Sequence, residues 1–290
     1  MSRGGSRDVQ EKTSGRSTDR TAGQRRESYS PADGLRLPGG EQREPVRVQD
    51  RTYSLRGSES RVLATVGAFR VVPAEDLADA ARGRDVWHGD IERLAKQGLV
   101  EHTRITINKR PTTVLALTRE GKALLEAHRE DRNGRAPQRY HAGFVKPREL
   151  SHDAQAYRLF RAEVARIEQD GGRVRRVVLD YELKHDYQAF LHQRDRRDDG
   201  AGAEAFGAEQ RLPVNKGHLE LPDLRIEYET EDGRIEQRDV ELVTEHYSRG
   251  QLAGKARSGF SLYRSGGGLR GENSRHGGSP VDPRNLEWLK

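Results

Sequence analysis

The sequence predicts an α+β protein built from two unlike halves with polar ends. Two element patterns and one composition pattern carry that reading. From about Arg56 to residue 129, short helical periods lead into two β-rich runs and a closing helix. From Leu150 to Arg264 the order is helix, strand, strand, turn, strand, helix. Residues 1–55 and 265–290 are rich in Gly, Ser, Arg and acids and show neither period, which predicts disorder. Residues 130–149 read as a linker, and the charged, Gly-rich stretch Asp195–Gln210 reads as an insertion.

In the first half, Ser60 caps a helix whose Val62, Val66 and Phe69 share one face. Pro73 opens a second helix, with Glu75 and Asp76 at its positive end and Leu77, Ala78 and Ala81 inward, and Gly83 breaks it. Asp85 caps a third, with Trp87, Ile91 and Leu94 inward and Gly98 as its left-handed stop. Thr103–Asn108 and Thr112–Leu117 form a hairpin around the basic tip Lys109-Arg110-Pro111, and Thr118 caps a last helix to His128.

That order is the winged helix-turn-helix. Ile91-Glu92-Arg93-Leu94-Ala95-Lys96-Gln97-Gly98-Leu99-Val100 resembles the recognition helix of MarR-like regulators, and Leu117-Thr118-Arg119-Glu120-Gly121 their strand-to-helix exit. A helix fills the major groove of double-stranded DNA while a basic hairpin reaches the backbone or a neighbouring groove. The expected groove contacts are Arg84, His88, Arg93 and Lys96, and the expected wing contacts Arg104, Lys109 and Arg110. Glu92 on the same face opposes phosphate and speaks for ordinary solvated charges.

In the second half, Ser151-His152-Asp153 opens a helix to about Gln169, followed by a strand over Val174–Leu183. Strands over Leu221–Tyr228 and Ile235–Thr244 flank an Asp232-Gly233 turn, and a helix follows from Ser248 to Tyr263. Asp223 begins one strand, Glu241 lies near the end of its partner, and Lys255 sits on the next helix. This resembles the PD-(D/E)XK nucleases, which implies an α/β restriction-endonuclease-like domain over 150–264. It also implies catalytic Asp223, Glu241 and Lys255, with Asp223 and Glu241 as metal ligands for Mg2+. The third motif position holds Val243 rather than lysine, so Lys255 has to substitute from the helix. Val243 favours a DNA binder that keeps the fold over a metal-dependent endonuclease.

The two halves together resemble the replication-relaxation family, on His152-Asp153, Glu182, Pro222-Asp223, Glu241, Lys255 and Tyr263. The resemblance implies a DNA-binding protein of a plasmid, integrative element or phage that acts in replication, relaxation or mobilisation. Its partners would be double-stranded DNA, relaxase or replication proteins and a second copy of itself. Here too the chain departs from the usual pattern, with Val243 where an Asp is common. The alternative is a MarR-like transcriptional regulator whose second half senses or dimerises.

Composition agrees without deciding. The net charge is +6, with 43 arginines against nine lysines. Arginine suits phosphate and guanine, and a GC-rich genome yields the same bias. The absence of cysteine excludes disulfides and thiolate zinc sites. No apolar run approaches the ~20 residues that span a bilayer, so no membrane association and a cytoplasmic, nucleoid- or plasmid-associated location are expected.

Overall fold

The structure is a computed structural model and describes residues 30–79, 84–85, 88–130, 136–144, 146, 149–193, 200–243 and 247–264. The expected disorder of 1–29 and 265–290, the Gly83 break and the inward Trp87 lie outside the described residues. The fold is mixed α+β, and among the described residues no helix is long and apolar enough to cross a membrane.

The elements before α1 depart from the expected disorder. A 3-10 turn, Pro31–Gly34, precedes an antiparallel hairpin of β1 (Glu44–Val48) and β2 (Arg51–Leu55). Leu35, Val46, Tyr53 and Leu55 are buried. The hairpin holds because its few apolar residues all point inward, which the polar composition around them conceals.

The first half then runs α1 (Gly57–Ala68), β3 (Val72–Pro73), a 3-10 turn Ala74–Asp76, β4 (Ala78–Asp79), β5 (Arg84–Asp85) and α2 (His88–Lys96). β6 (Val100–Ile107), β7 (Arg110–Leu117) and α3 (Arg119–Ala127) complete it. Among the described residues the expected second helix is absent. Pro73 is instead an edge-strand residue opposite Val114, where its missing N–H costs nothing, and Asp85 lies in β5 rather than capping a helix. The β6–β7 hairpin turns on Asn108 and Lys109, with φ of 49° and 64°, a two-residue turn whose backbone twist matches the strands. Thr118 caps α3 by accepting the Gly121 N–H at 3.0 Å. A Cβ on Gly121 would lie 2.1 Å from the Leu99 carbonyl oxygen, so only glycine lets α3 approach the segment that enters β6.

The expected linker is packed where it is described. Tyr140 is buried and its hydroxyl donates to the Pro31 carbonyl at 2.8 Å. The Gln138 side-chain amide donates to the Val177 carbonyl at 3.0 Å and accepts the Val177 N–H at 3.0 Å.

The second half contains α4 (Leu150–Gln169), β8 (Arg173–Leu179), α5 (Asp180–Gln193), α6 (Gly200–Gln210), β9 (Val214–Asn215) and β10 (His218–Leu219). It ends with β11 (Leu224–Glu229), β12 (Ile235–Val243), α7 (Arg249–Arg257) and β13 (Ser261–Arg264). The sheet order is β13-β12-β11-β8, antiparallel except for the β12–β13 pair.

Three boundaries correct the sequence reading. β8 stops at Leu179 because Leu183, Tyr187, Phe190 and Leu191 bury one helical face, and Glu182 accepts the Leu179 N–H at 3.2 Å. The expected insertion holds α6, whose Ala203 and Phe206 are buried against α5 aromatics. The last helix ends at Arg257, where Gly259 at φ 84° turns the chain into β13.

The halves share one core. A continuous cluster of buried apolar side chains runs from Leu55, Leu63 and Phe69 to Phe160, Ile226 and Val240. Phe69 meets Tyr157 at 5.0 Å and Phe160 at 4.7 Å between ring centroids. Arg158 of α4 reaches back to Asp76 at 2.5 Å, and Arg161 to the Asp76 carbonyl at 2.7 Å.

Candidate functional site

Antiparallel pairing sets the site. Leu224 lies opposite Val240, so Asp223 and Glu241, one step further along each strand, meet at the same end of the sheet. Asp223 Oδ2 accepts the Leu242 N–H at 2.7 Å, and the Asp223 carbonyl accepts the Asp180 N–H at 3.2 Å. These bonds fix the aspartate between β12 and the start of α5.

Lys255 arrives from α7. Its Nζ lies 2.8 Å from Glu241 Oε1 and 3.8 Å from Glu220, and donates to the Leu221 carbonyl at 3.3 Å. The Tyr247 hydroxyl donates to the same Glu241 oxygen. Glu241 is buried, and burial raises its carboxyl pKa, with the Asp223 charge adding to the rise against Lys255 and Tyr247. Burial, then the Glu241 charge, push the Tyr247 phenol up, so it stays a donor at physiological pH. Glu241 Oε2 is buried and accepts no hydrogen bond, an arrangement that is costly unless a cation or water meets it.

On the other side of Asp223, His152 Nε2 of α4 lies 3.2 Å from Oδ1. Asp153 and Asp223 flank the ring and raise its pKa to about 10, so it is charged at neutral pH. His152, Asp153, Asp180 and Asp223 line one cleft with Arg70. Arg70 belongs to the first half and contacts Asp153 at 3.5 Å.

The three residues expected to be catalytic are therefore brought together. Among the described residues no group of three or more His, Cys, Asp or Glu is arranged around a metal-sized space. The Asp223 oxygens meet the Leu242 N–H and His152, and Glu241 Oε1 meets Lys255 and Tyr247, which leaves buried Glu241 Oε2 as the oxygen of the pair without a partner; magnesium, which commonly takes one or two protein carboxylates, would have to draw both carboxylates from His152 and Lys255.

The expected DNA contacts divide. Lys96, Arg104, Lys109 and Arg110 are exposed, as is Glu92. Arg93 is drawn inward, its Nε donating to buried Glu59 at 3.1 Å and its Nη2 to buried Asp90 at 3.2 Å. Arg84 lies in β5, and the side chains of Arg84 and His88 lie outside the described residues.

Sequence reasoning missed Tyr247, Asp180 and Arg70. Tyr247 follows Glu241 by six residues across a strand end and carries no motif. The apolar run Val174–Leu183 puts Asp180 inside a strand, whereas it opens α5. Arg70 is remote in sequence from every acid it faces.

No known protein family, curated protein or solved structure matches the chain.

Proposed function

We propose that this chain is a DNA-binding protein of a mobile element, acting in its replication, relaxation or mobilisation, with a divalent-metal site for phosphodiester hydrolysis in its second half. The observation that carries the reading is the convergence of Asp223, Glu241 and Lys255 from β11, β12 and α7, with Lys255 2.8 Å from Glu241. Lys255 thereby stands where Val243 cannot act.

The first half is read as a winged helix with a shortened second element. Support comes from the order α1, α2, the β6–β7 hairpin and α3, and from the exposed Lys96, Arg104, Lys109 and Arg110. Asp223 and Glu241 would hold the cation, which polarises the scissile phosphate and makes water more acidic. Lys255 sets positive charge beside the carboxylate pair, where it offsets charge developing on phosphate oxygens. Tyr247 orients Glu241, and charged His152 limits the repulsion that Asp223 feels from its neighbours.

The test is nicking of supercoiled plasmid and cleavage of single strands with magnesium or manganese. Asp223→Asn should abolish turnover and leave DNA affinity within about twofold, because the exposed cations named above are untouched. Purified protein that binds DNA but cuts no form with either metal would reduce the second half to a scaffold.

A further inference from the structure

Arg70 has no part in the chemistry above, yet it is built into the cleft at some cost. It follows α1 with φ 60°, a left-handed conformation unfavourable for any residue with a Cβ. Strained positions of this kind recur where a side chain must be aimed. The turn delivers a guanidinium from the first half into the lining shared by His152, Asp153, Asp180 and Asp223.

Arg70 is buried, with about a tenth of its side chain exposed, yet its ion pairs are long. Asp153 lies at 3.5 Å and Glu149 at 3.9 Å, both at ion-pair distance, and Glu149 is already bound by Lys146 at 2.8 Å. Asp153 Oδ2, facing Arg70, is buried and accepts no hydrogen bond. The guanidinium carbon lies over the Tyr181 ring, 4.7 Å from its centroid, which supports the side chain through its face. Guanidinium N–H groups form a planar fork that matches two phosphate oxygens.

We propose that Arg70 is the phosphate clamp of the cleft: it exchanges its long carboxylate contacts for a DNA backbone phosphate next to the Asp223–Glu241 pair. The inference rests on the reading that this cleft receives DNA. A phosphate held by Arg70 of the first half would then lie beside the acidic pair of the second.

The test uses the full chain, a fluorescein-labelled 20-mer as single strand and as duplex, and calcium in place of magnesium. Dissociation constants are measured by anisotropy across a salt series, and melting temperatures for every variant. Arg70→Gln should weaken binding about tenfold, and the salt slope should fall by about 0.9 for one lost phosphate contact. Arg70→Lys should recover part of the loss. Arg70→Gly removes the guanidinium and also relieves the left-handed backbone, which offsets part of the stability lost with the Asp153 and Tyr181 contacts, so it should lose affinity equally while melting no lower than Arg70→Gln. That variant separates lost contact from lost folding. Unchanged affinity and slope in Arg70→Gln and Arg70→Gly would overturn the clamp even if wild type cuts DNA. Loss of affinity in the variants of a chain that never cuts would uphold the clamp and remove only the hydrolytic reading. Absence of any DNA binding by wild type would overturn both.

Discussion

Phe69→Ala tests whether the two halves fold as one unit. Phe69 is fully buried at the end of α1, against Tyr157 and Phe160 of α4. Truncating a buried phenylalanine costs about 3–5 kcal/mol. Two ring contacts at 5.0 and 4.7 Å add to area burial, which favours the upper part of that range, about 4–5 kcal/mol. With a urea dependence of about 3 kcal/mol/M, taken for a chain larger than a small domain, the midpoint should fall by roughly 1.5 M. Equilibrium urea unfolding followed by circular dichroism reads this directly. Wild type should unfold in one transition and the variant in one earlier transition. Two wild-type steps with only one displaced, or a shift under about 0.5 M, would refute the shared core.

Further expectations concern charge and packing. His152 has a folded pKa of about 10 against 6.5 unfolded, so its contribution to stability is complete below about pH 6.5 and is lost as pH rises through 10. Wild type should therefore lose more melting temperature than His152→Gln between those limits, and parallel profiles would remove the ion pair from the account. Replacing Lys109 and Arg110 together with alanine should weaken binding to all duplexes and lower the salt slope by up to about 1.8, read by anisotropy. Gly121→Ala forces a Cβ to 2.1 Å from the Leu99 carbonyl and should cost about 1–3 kcal/mol in thermal unfolding.

Legibility followed how local each signal was. Asp223 and Glu241 could be found because strand alternation around the Asp232-Gly233 turn already implies their register. Lys255 could be named but not placed, since its reach depends on α7 ending at Arg257. The β8–α5 boundary was hidden because apolar residues of the strand run straight into the apolar face of the helix. The hairpin before α1 was hidden because two five-residue strands offer only Val46, Tyr53 and Leu55 as buried apolar positions. Arg70 left no trace in the sequence, because its role depends on a left-handed turn and on acids some 80 residues away.

The Gln138 amide has a consequence for how the molecule behaves in company. β8 is the outer strand of its sheet, and the outward N–H and carbonyl of an outer strand are a template on which another chain can add a strand. Gln138 occupies both groups of Val177 at 3.0 Å each, as a foreign backbone would. Gln138 thus occupies the middle of this margin, and Glu182 takes the Leu179 N–H at its end. Where Gln138→Ala frees that middle, concentrated protein gains a route to head-on sheet growth that the native chain denies.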